Sequence, residues 1–232
     1  MKIMEDQELI KHYLQVHNIE NTFPEAMIPY FSLHRFHPGE LICSQGEAAH
    51  HMYVQVKGKV KVYTTSSLGK TLVLSFKNPL EVIGEIEYLR GISFLNTVEA
   101  VSSVDMITIH HRRLDQYGKA YPPLLQFLLD IISRKFCLKS DFLTFNLLYP
   151  VEIRLASYLM SVSMDETNSC TNKQISAEHL RDAANLIGTS PRHLNRIIRQ
   201  FCEKGLMVRS KDGIAIRDWE KLESLVSHNI YE

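Results

Sequence analysis

The sequence predicts an α+β protein with an N-terminal antiparallel β domain, a long helix and a C-terminal winged helix-turn-helix. Three observations carry this. Between Phe31 and His110, short β-branched and aromatic runs are separated by glycines. From Tyr121 to Leu148, apolar residues recur without any glycine. Two short amphipathic stretches then meet at Gly188, ahead of a hairpin pattern.

The β region contains runs at Leu41-Ile42, Met52 to Val56, Lys59 to Thr64, Thr71 to Phe76, Thr97 to Val101 and Met106 to Ile109. Glycines at 39, 46, 58, 69, 84 and 91 fall near their ends, where a backbone reverses, so strands joined by tight turns are expected in a small barrel or sandwich. Tyr121-Pro122-Pro123 opens the long helix, since proline is tolerated in a first turn, and Pro150 ends it. Its apolar positions 124, 125, 128, 131, 132, 138, 142 and 145 exceed what one small β domain needs as cover. A second copy of the helix would bury the remainder, which predicts a parallel homodimer. Val151 to Val162 places Ile153, Ala156, Leu159 and Met160 on one helical face, and Met164 to Lys173 reads as a polar loop. The expected organisation is a helical segment over 1–30, the β domain over 31–120, the long helix over 121–149 and the winged-helix domain over 150–232.

The C-terminal third is the most specific part. In Ser176 to Gly188 the apolar residues Leu180, Ala183, Ala184 and Ile187 follow helical spacing, with Ser176 as N-cap and Gly188 as the stop. After Thr189, Ser190 caps a second helix with Pro191 in its first position, and Leu194, Ile197, Ile198 and Phe201 repeat the spacing. The opposite face carries Arg192, His193, Asn195, Arg196, Arg199 and Gln200, a donor-rich set suited to base edges and phosphates. Arg192, His193 and Arg196 sit near the helix start and would enter the major groove, with Asn195 beside them. Ser190 and Arg199 would meet phosphate. Met207 to Ile216 reads as a hairpin turning at Lys211-Asp212-Gly213, a wing whose Arg209 and Lys211 reach the DNA backbone. Overall the chain has 26 basic and 26 acidic residues, but Gly188 to Lys211 holds six Lys/Arg against Glu203 alone. Positive charge is thus concentrated on the segment that would meet DNA.

The order of these parts resembles the CRP/FNR family of bacterial transcription regulators. The likeness runs from about Phe31 to Leu225 through Pro38-Gly39-Glu40, Gln45-Gly46-Glu47, Gly58-Lys59-Val60-Lys61-Val62, Ile83-Gly84-Glu85, Arg154-Leu155-Ala156 and Gly188 to Arg196. It implies a cyclic-nucleotide-binding-like β-roll, a dimerisation helix and a winged helix that binds a palindromic double-stranded operator. If the protein activates transcription, it also implies RNA polymerase as a partner. It carries base contact to Arg192 and Arg196, and puts Pro191 where cyclic-AMP receptors have a base-reading arginine, so a different operator is implied. The effector pocket would lie at Gly84, Glu85, Phe94, Leu95, Asn96 and Thr97. Cyclic-AMP-binding members use Gly-Glu followed by Arg-Ser. Here the second pair is Phe94-Leu95, which offers a phosphate neither cation nor hydroxyl, and Glu85 alone would repel it. Cyclic AMP is therefore not expected and no cofactor is predicted, leaving the β-roll to control DNA binding through an unidentified effector or none.

Other function classes fare worse. No cysteine precedes Cys43, against the N-terminal cysteine group that iron–sulfur members carry. The cysteines at 43, 137, 170 and 202 form no CxxC pair, so reduced thiols are expected. His50-His51 and His110-His111 read as incidental surface histidines rather than haem ligands, and no metal is expected. A cupin-like metalloenzyme would have to use His34, His37 and Glu40, spaced H-x-x-H-x-x-E where cupins need H-x-H. No Ser-His-Asp set, phosphate-cradling loop or H-E-x-x-H is present. A protein-binding signalling module that ignores DNA is the third alternative. Without an apolar run long enough to span a bilayer or a secretory leader, a cytoplasmic protein is expected.

Overall fold

The computed structural model describes residues 2–4, 6–69, 71–163, 177–210 and 213–226. The chain divides into two compact units, Met1–Phe136 and Cys137–Glu232.

The first unit begins with strand β1 (Lys2–Met4) and helix α1 (Gln7–Val16), whose first turn is capped by the Asp6 carboxylate accepting from the Leu9 amide. Two 3-10 turns, Glu20–Thr22 and Glu25–Tyr30, lead to the β region. This comprises β2 (Ser32–Phe36), β3 (Leu41–Cys43), β4 (His51–Lys57), β5 (Val60–Thr65), β6 (Thr71–Lys77) and β7 (Glu81–Ile83), then helix α2 (Glu85–Arg90), β8 (Thr97–Ala100) and β9 (Val104–His110). The strands form two antiparallel sheets, ordered β1-β2-β9-β4-β7 and β3-β8-β5-β6. A short helix α3 (His111–Arg113) and a π turn (Leu114–Gly118) then lead into α4 (Pro122–Leu148). The N-terminal segment, expected to be helical, thus opens with a strand: Lys2 pairs with Arg35 and extends the edge of the larger sheet.

Alternation along β4 and β9 puts Met52, Val54, Ile107 and Ile109 on the face that packs against Ile10 and Leu14 of α1 and Leu124, Leu128 and Ile131 of α4. The opposite side of the roll packs Phe36, Val60, Phe94, Val98 and Met106. Asp105, 1% exposed at its side chain, accepts two hydrogen bonds from Arg35 at 2.6 and 2.8 Å and one from the Tyr13 hydroxyl at 2.8 Å, tying α1 to β2 and β9. Burial alone would raise the Asp105 pKa, but those partners more than offset it and hold the carboxyl below its ordinary range. Among the described residues no helix is long and apolar enough to cross a membrane.

The histidine pairs read as surface residues are only partly so. His51 of β4 is half-buried, with its ring centroid 4.9 Å from that of His110 across the strand pair, and His111 is half-buried as well. Burial lowers the pKa of His51 to about 4, helped by repulsion from His110, His34, His111 and His50. Burial likewise lowers His34 and His111. The buried His34 Nδ1 and His111 Nε2 have no hydrogen-bond partner, so a proton there would find no acceptor. Because the folded pKa of His51 lies below the unfolded value of 6.5, its contribution to stability is complete above pH 6.5 and is lost as pH falls toward about 4. The melting temperature is expected to be level near neutrality and to drop across that window, with a shallower drop for His51→Gln. A melting temperature unchanged across the window would refute the neutral-histidine account.

The second unit contains α5 (Val151–Ser163), α6 (Ala177–Leu186), α7 (Pro191–Glu203), β10 (Met207–Arg209), β11 (Ile214–Ile216) and α8 (Trp219–Glu223). Leu155, Ala183, Ile187, Ile197, Ile198 and Leu222 are among the residues buried in its core.

Candidate nucleic-acid interface

The helix-turn-helix is assembled by local chemistry. Leu180, Ala183, Ala184 and Ile187 are all buried on one side of α6 and the turn after it, and Gly188 follows with φ 65°, a left-handed conformation that glycine adopts without penalty. Ser190 then caps α7, its Oγ accepting from the His193 amide at 3.2 Å, and Pro191 occupies the first turn, where no amide donor is needed. Leu194, Ile197, Ile198 and Phe201 are buried at helical spacing. Ser176, the N-cap expected for α6, lies outside the described residues.

Burying that face of α7 turns the other one outward. Arg192, Asn195, Arg196, Arg199 and Gln200 are exposed and His193 is half-exposed. Arg196 Nη2 lies 2.9 Å from His193 Nε2, and since a guanidinium only donates, the imidazole nitrogen is the acceptor. The Asn195 amide is engaged at both ends, donating to the Pro191 carbonyl at 2.9 Å and accepting from Arg209 Nη2 at 3.4 Å. Arg209 lies on β10, which pairs with β11 in the register Met207↔Ile216 and Arg209↔Ile214. The wing is therefore hydrogen-bonded to α7. Lys211, expected in the wing, lies outside the described residues.

One residue of this unit had a position in the sequence reading but no role. Arg154 of α5 donates to the Asn146 Oδ1 at 3.1 Å and to the carbonyl of Ile187, one of the orphan acceptors at the end of α6. Arg154 thereby holds the turn between α6 and α7 from beneath.

In the first unit, Gly84, Glu85, Phe94, Leu95, Asn96 and Thr97 lie around one corner of the roll. Gly84 has φ 91°, and a Cβ there would fall 2.7 Å from the His51 carbonyl and 3.5 Å from the Phe94 ring. Phe94 is buried beneath it, Leu95 is 46% exposed, and Thr97 accepts from the Gln45 amide at 3.0 Å. Glu85, expected to repel a phosphate, is buried and paired, 2.8 Å from the Lys135 ammonium. None of the six residues supplies a cation for a cyclic phosphate, so they do not fit that ligand. The cupin-like set is not gathered into a site: Glu40 Oε2 accepts from the His37 amide at 2.8 Å, while His34 Nε2 lies 3.1 Å from Ser32 Oγ. Among the described residues no three His, Cys, Asp or Glu side chains are placed to hold a metal ion.

Comparison with known proteins agrees with this architecture. Residues 33–121 match the cyclic nucleotide-binding domain family, and residues 153–225 match the Crp-like helix-turn-helix domain family. The regulatory protein YeiL of Escherichia coli is 25% identical over 219 residues, covering 89% of this chain and 92% of that protein. The cAMP-activated global transcriptional regulator CRP of Salmonella typhimurium is 23% identical over 186 residues, covering 79% of this chain and 88% of its own length. Among solved structures, a crp/fnr-family regulator of Eubacterium rectale superposes with a TM-score of 0.77 at 21% identity, covering 89% of this chain and 99% of that one. The c-di-GMP-responsive regulator CLP of Xanthomonas campestris gives a TM-score of 0.71 at 15% identity, with coverage of 92% and 100%. With a sensor-type β-roll and a Crp-like DNA-binding domain in this order, the chain belongs to the CRP/FNR family of transcription regulators.

Proposed function

We propose that the protein works as a homodimer that places one α7 helix in each of two successive major grooves of a palindromic operator, about 34 Å apart. Arg192, His193 and Arg196 read base edges, Ser190 and Arg199 hold phosphates, and Arg209 and Lys211 of the wing grip the flanking backbone. The observation that carries this reading is the division of α7 into a buried apolar face and an exposed face with three arginines. Asn195 then serves less as a reader than as the link between wing and helix, because both ends of its amide are engaged within the protein. The signal is not cyclic AMP, a reading supported by Phe94-Leu95 and by the pairing of Glu85 with Lys135.

Binding to duplexes selected from genomic DNA, followed by fluorescence anisotropy over a range of salt, tests the proposal. Three basic contacts per protomer predict a slope of log K against log salt of about −5, since each neutralised phosphate contributes about −0.9. A protein-binding module that ignores DNA would show no such binding at any salt concentration.

A further inference from the structure

A cation is held against the β-roll at β7 and the start of α2, and it comes from α4. Lys135, 20% exposed at its side chain, places Nζ 2.7 Å from Glu81 Oε1 and 2.8 Å from Glu85 Oε1, and donates to the Val82 carbonyl. An ammonium has three N–H donors, and here each meets an acceptor. The two carboxylates are 10% and 3% exposed, and the second oxygen of Glu81 lies 3.5 Å from Lys77 Nζ. Carboxylates this buried offset the cost of leaving water only by pairing with a close cation. Burial disfavours the lysine charge too, but Glu85 and Glu81 more than compensate and raise its pKa above the ordinary value.

We propose that Glu81, Glu85 and the Val82 carbonyl form a primary-ammonium site whose resident ligand is Lys135, so that this corner of the roll is filled by the chain itself. The acceptors come from β7 and the first residue of α2, and the ligand from α4. Lys135 thus secures α4 to the roll with no small molecule added. The chemistry selects a compact ammonium with three donors. A quaternary ammonium has no N–H to offer, and a planar guanidinium fits two acceptors in a line better than three in a cone. For DNA binding, the consequence rests on the regulator reading above: the wild-type protein binds its operator without an added effector.

The test is chemical rescue. Lys135→Ala is expected to melt about 10 °C below the wild type, the scale expected when buried Glu85 loses its cation and Glu81 is left with Lys77 alone. n-Propylammonium chloride is expected to recover at least half of that loss saturably, whereas tetramethylammonium chloride at equal concentration, and the wild type in either salt, show only the common salt response. An unchanged melting temperature in Lys135→Ala, equal recovery by both salts, or no recovery by propylammonium would each overturn the site. If Lys135→Ala does not fold, Lys135→Met supplies the measurement: adding Glu81→Gln and Glu85→Gln is expected to raise its melting temperature, and a further fall would overturn the proposal. In the DNA arm, Lys135→Ala is expected to lose at least about tenfold in operator affinity, with propylammonium restoring it. A wild type that binds its duplex only after a small-molecule cell extract is added would overturn the effector-free claim, and one that binds no duplex in either condition would refute the regulator reading; both outcomes leave the thermal test intact.

Discussion

The Arg196→Ala variant is expected to bind the selected operator about 5- to 150-fold more weakly than the wild type, corresponding to about 1 to 3 kcal/mol for a bidentate arginine on guanine. Arg196 stands out among the exposed side chains of α7 for two reasons. It lies one turn into a helix whose start is set by the Ser190 cap and Pro191, so its Cα position is determined by the turn. Its guanidinium is also oriented beforehand by the hydrogen bond to His193 Nε2, which lowers the ordering cost of contact with a base. Arg196→Lys keeps the charge but loses the fork, and is expected to retain the salt slope while losing discrimination at the contacted base pair. Arg199→Ala should behave in the opposite way, weakening all sequences nearly alike and lowering the magnitude of the slope by about 0.9 per protomer. If Arg196→Ala binds the operator as tightly as the wild type in anisotropy titrations, α7 does not read bases through this residue.

The parts of this interface that were legible in the sequence are those whose partners lie within one or two helical turns. Gly188, Ser190 and Pro191 set the turn and the cap through contacts three residues apart, and the spacing of Leu194, Ile197, Ile198 and Phe201 alone says which face of α7 turns outward. Arg154 and Lys135 were not legible as functional, because their partners lie 33 and 50 residues away and only the fold brings them together. The same distance problem hid the state of Glu85, whose charge reads as unpaired until Lys135 reaches it. Strands β2 and β7 escaped for a different reason. The three residues of β7 are all buried, which erases alternation, while His34 and Arg35 interrupt the pattern of β2. The half-buried His51 escaped because a paired histidine in a polar stretch gives no local sign that the roll will bury it.

Phe136→Glu is expected to convert the proposed homodimer to monomers at micromolar concentration and to lower operator affinity by at least about 100-fold. The apolar residues of α4 divide into two sets. Leu124, Leu128 and Ile131 are buried in the core of the roll, which accounts for part of the stripe seen in the sequence. Leu125, Leu129, Ile132, Phe136 and Leu143 recur at steps of four, three, four and seven along the same helix, the spacing of a coiled-coil seam. Of these, Leu129 and Leu143 are each 59% exposed and Phe136 is 73% exposed. Burying each such side chain stabilises an assembly by about 1.5 to 3 kcal/mol, so the seam has both the geometry and the apolar surface for a second copy of itself. In a parallel pair each residue meets its own counterpart, so one glutamate per chain places two carboxylates together in an apolar setting, and the substitution acts twice. The effect on DNA follows from linkage. A dimer binds its second half-site intramolecularly, and a monomer loses that advantage even though its own α7 is unchanged. Phe136→Leu keeps the seam apolar and is expected to remain dimeric, which separates loss of the charge-free seam from loss of the aromatic ring. Sedimentation equilibrium and operator titration on the same samples decide the matter: a Phe136→Glu protein that remains dimeric and binds as tightly as the wild type would place the dimer contact elsewhere.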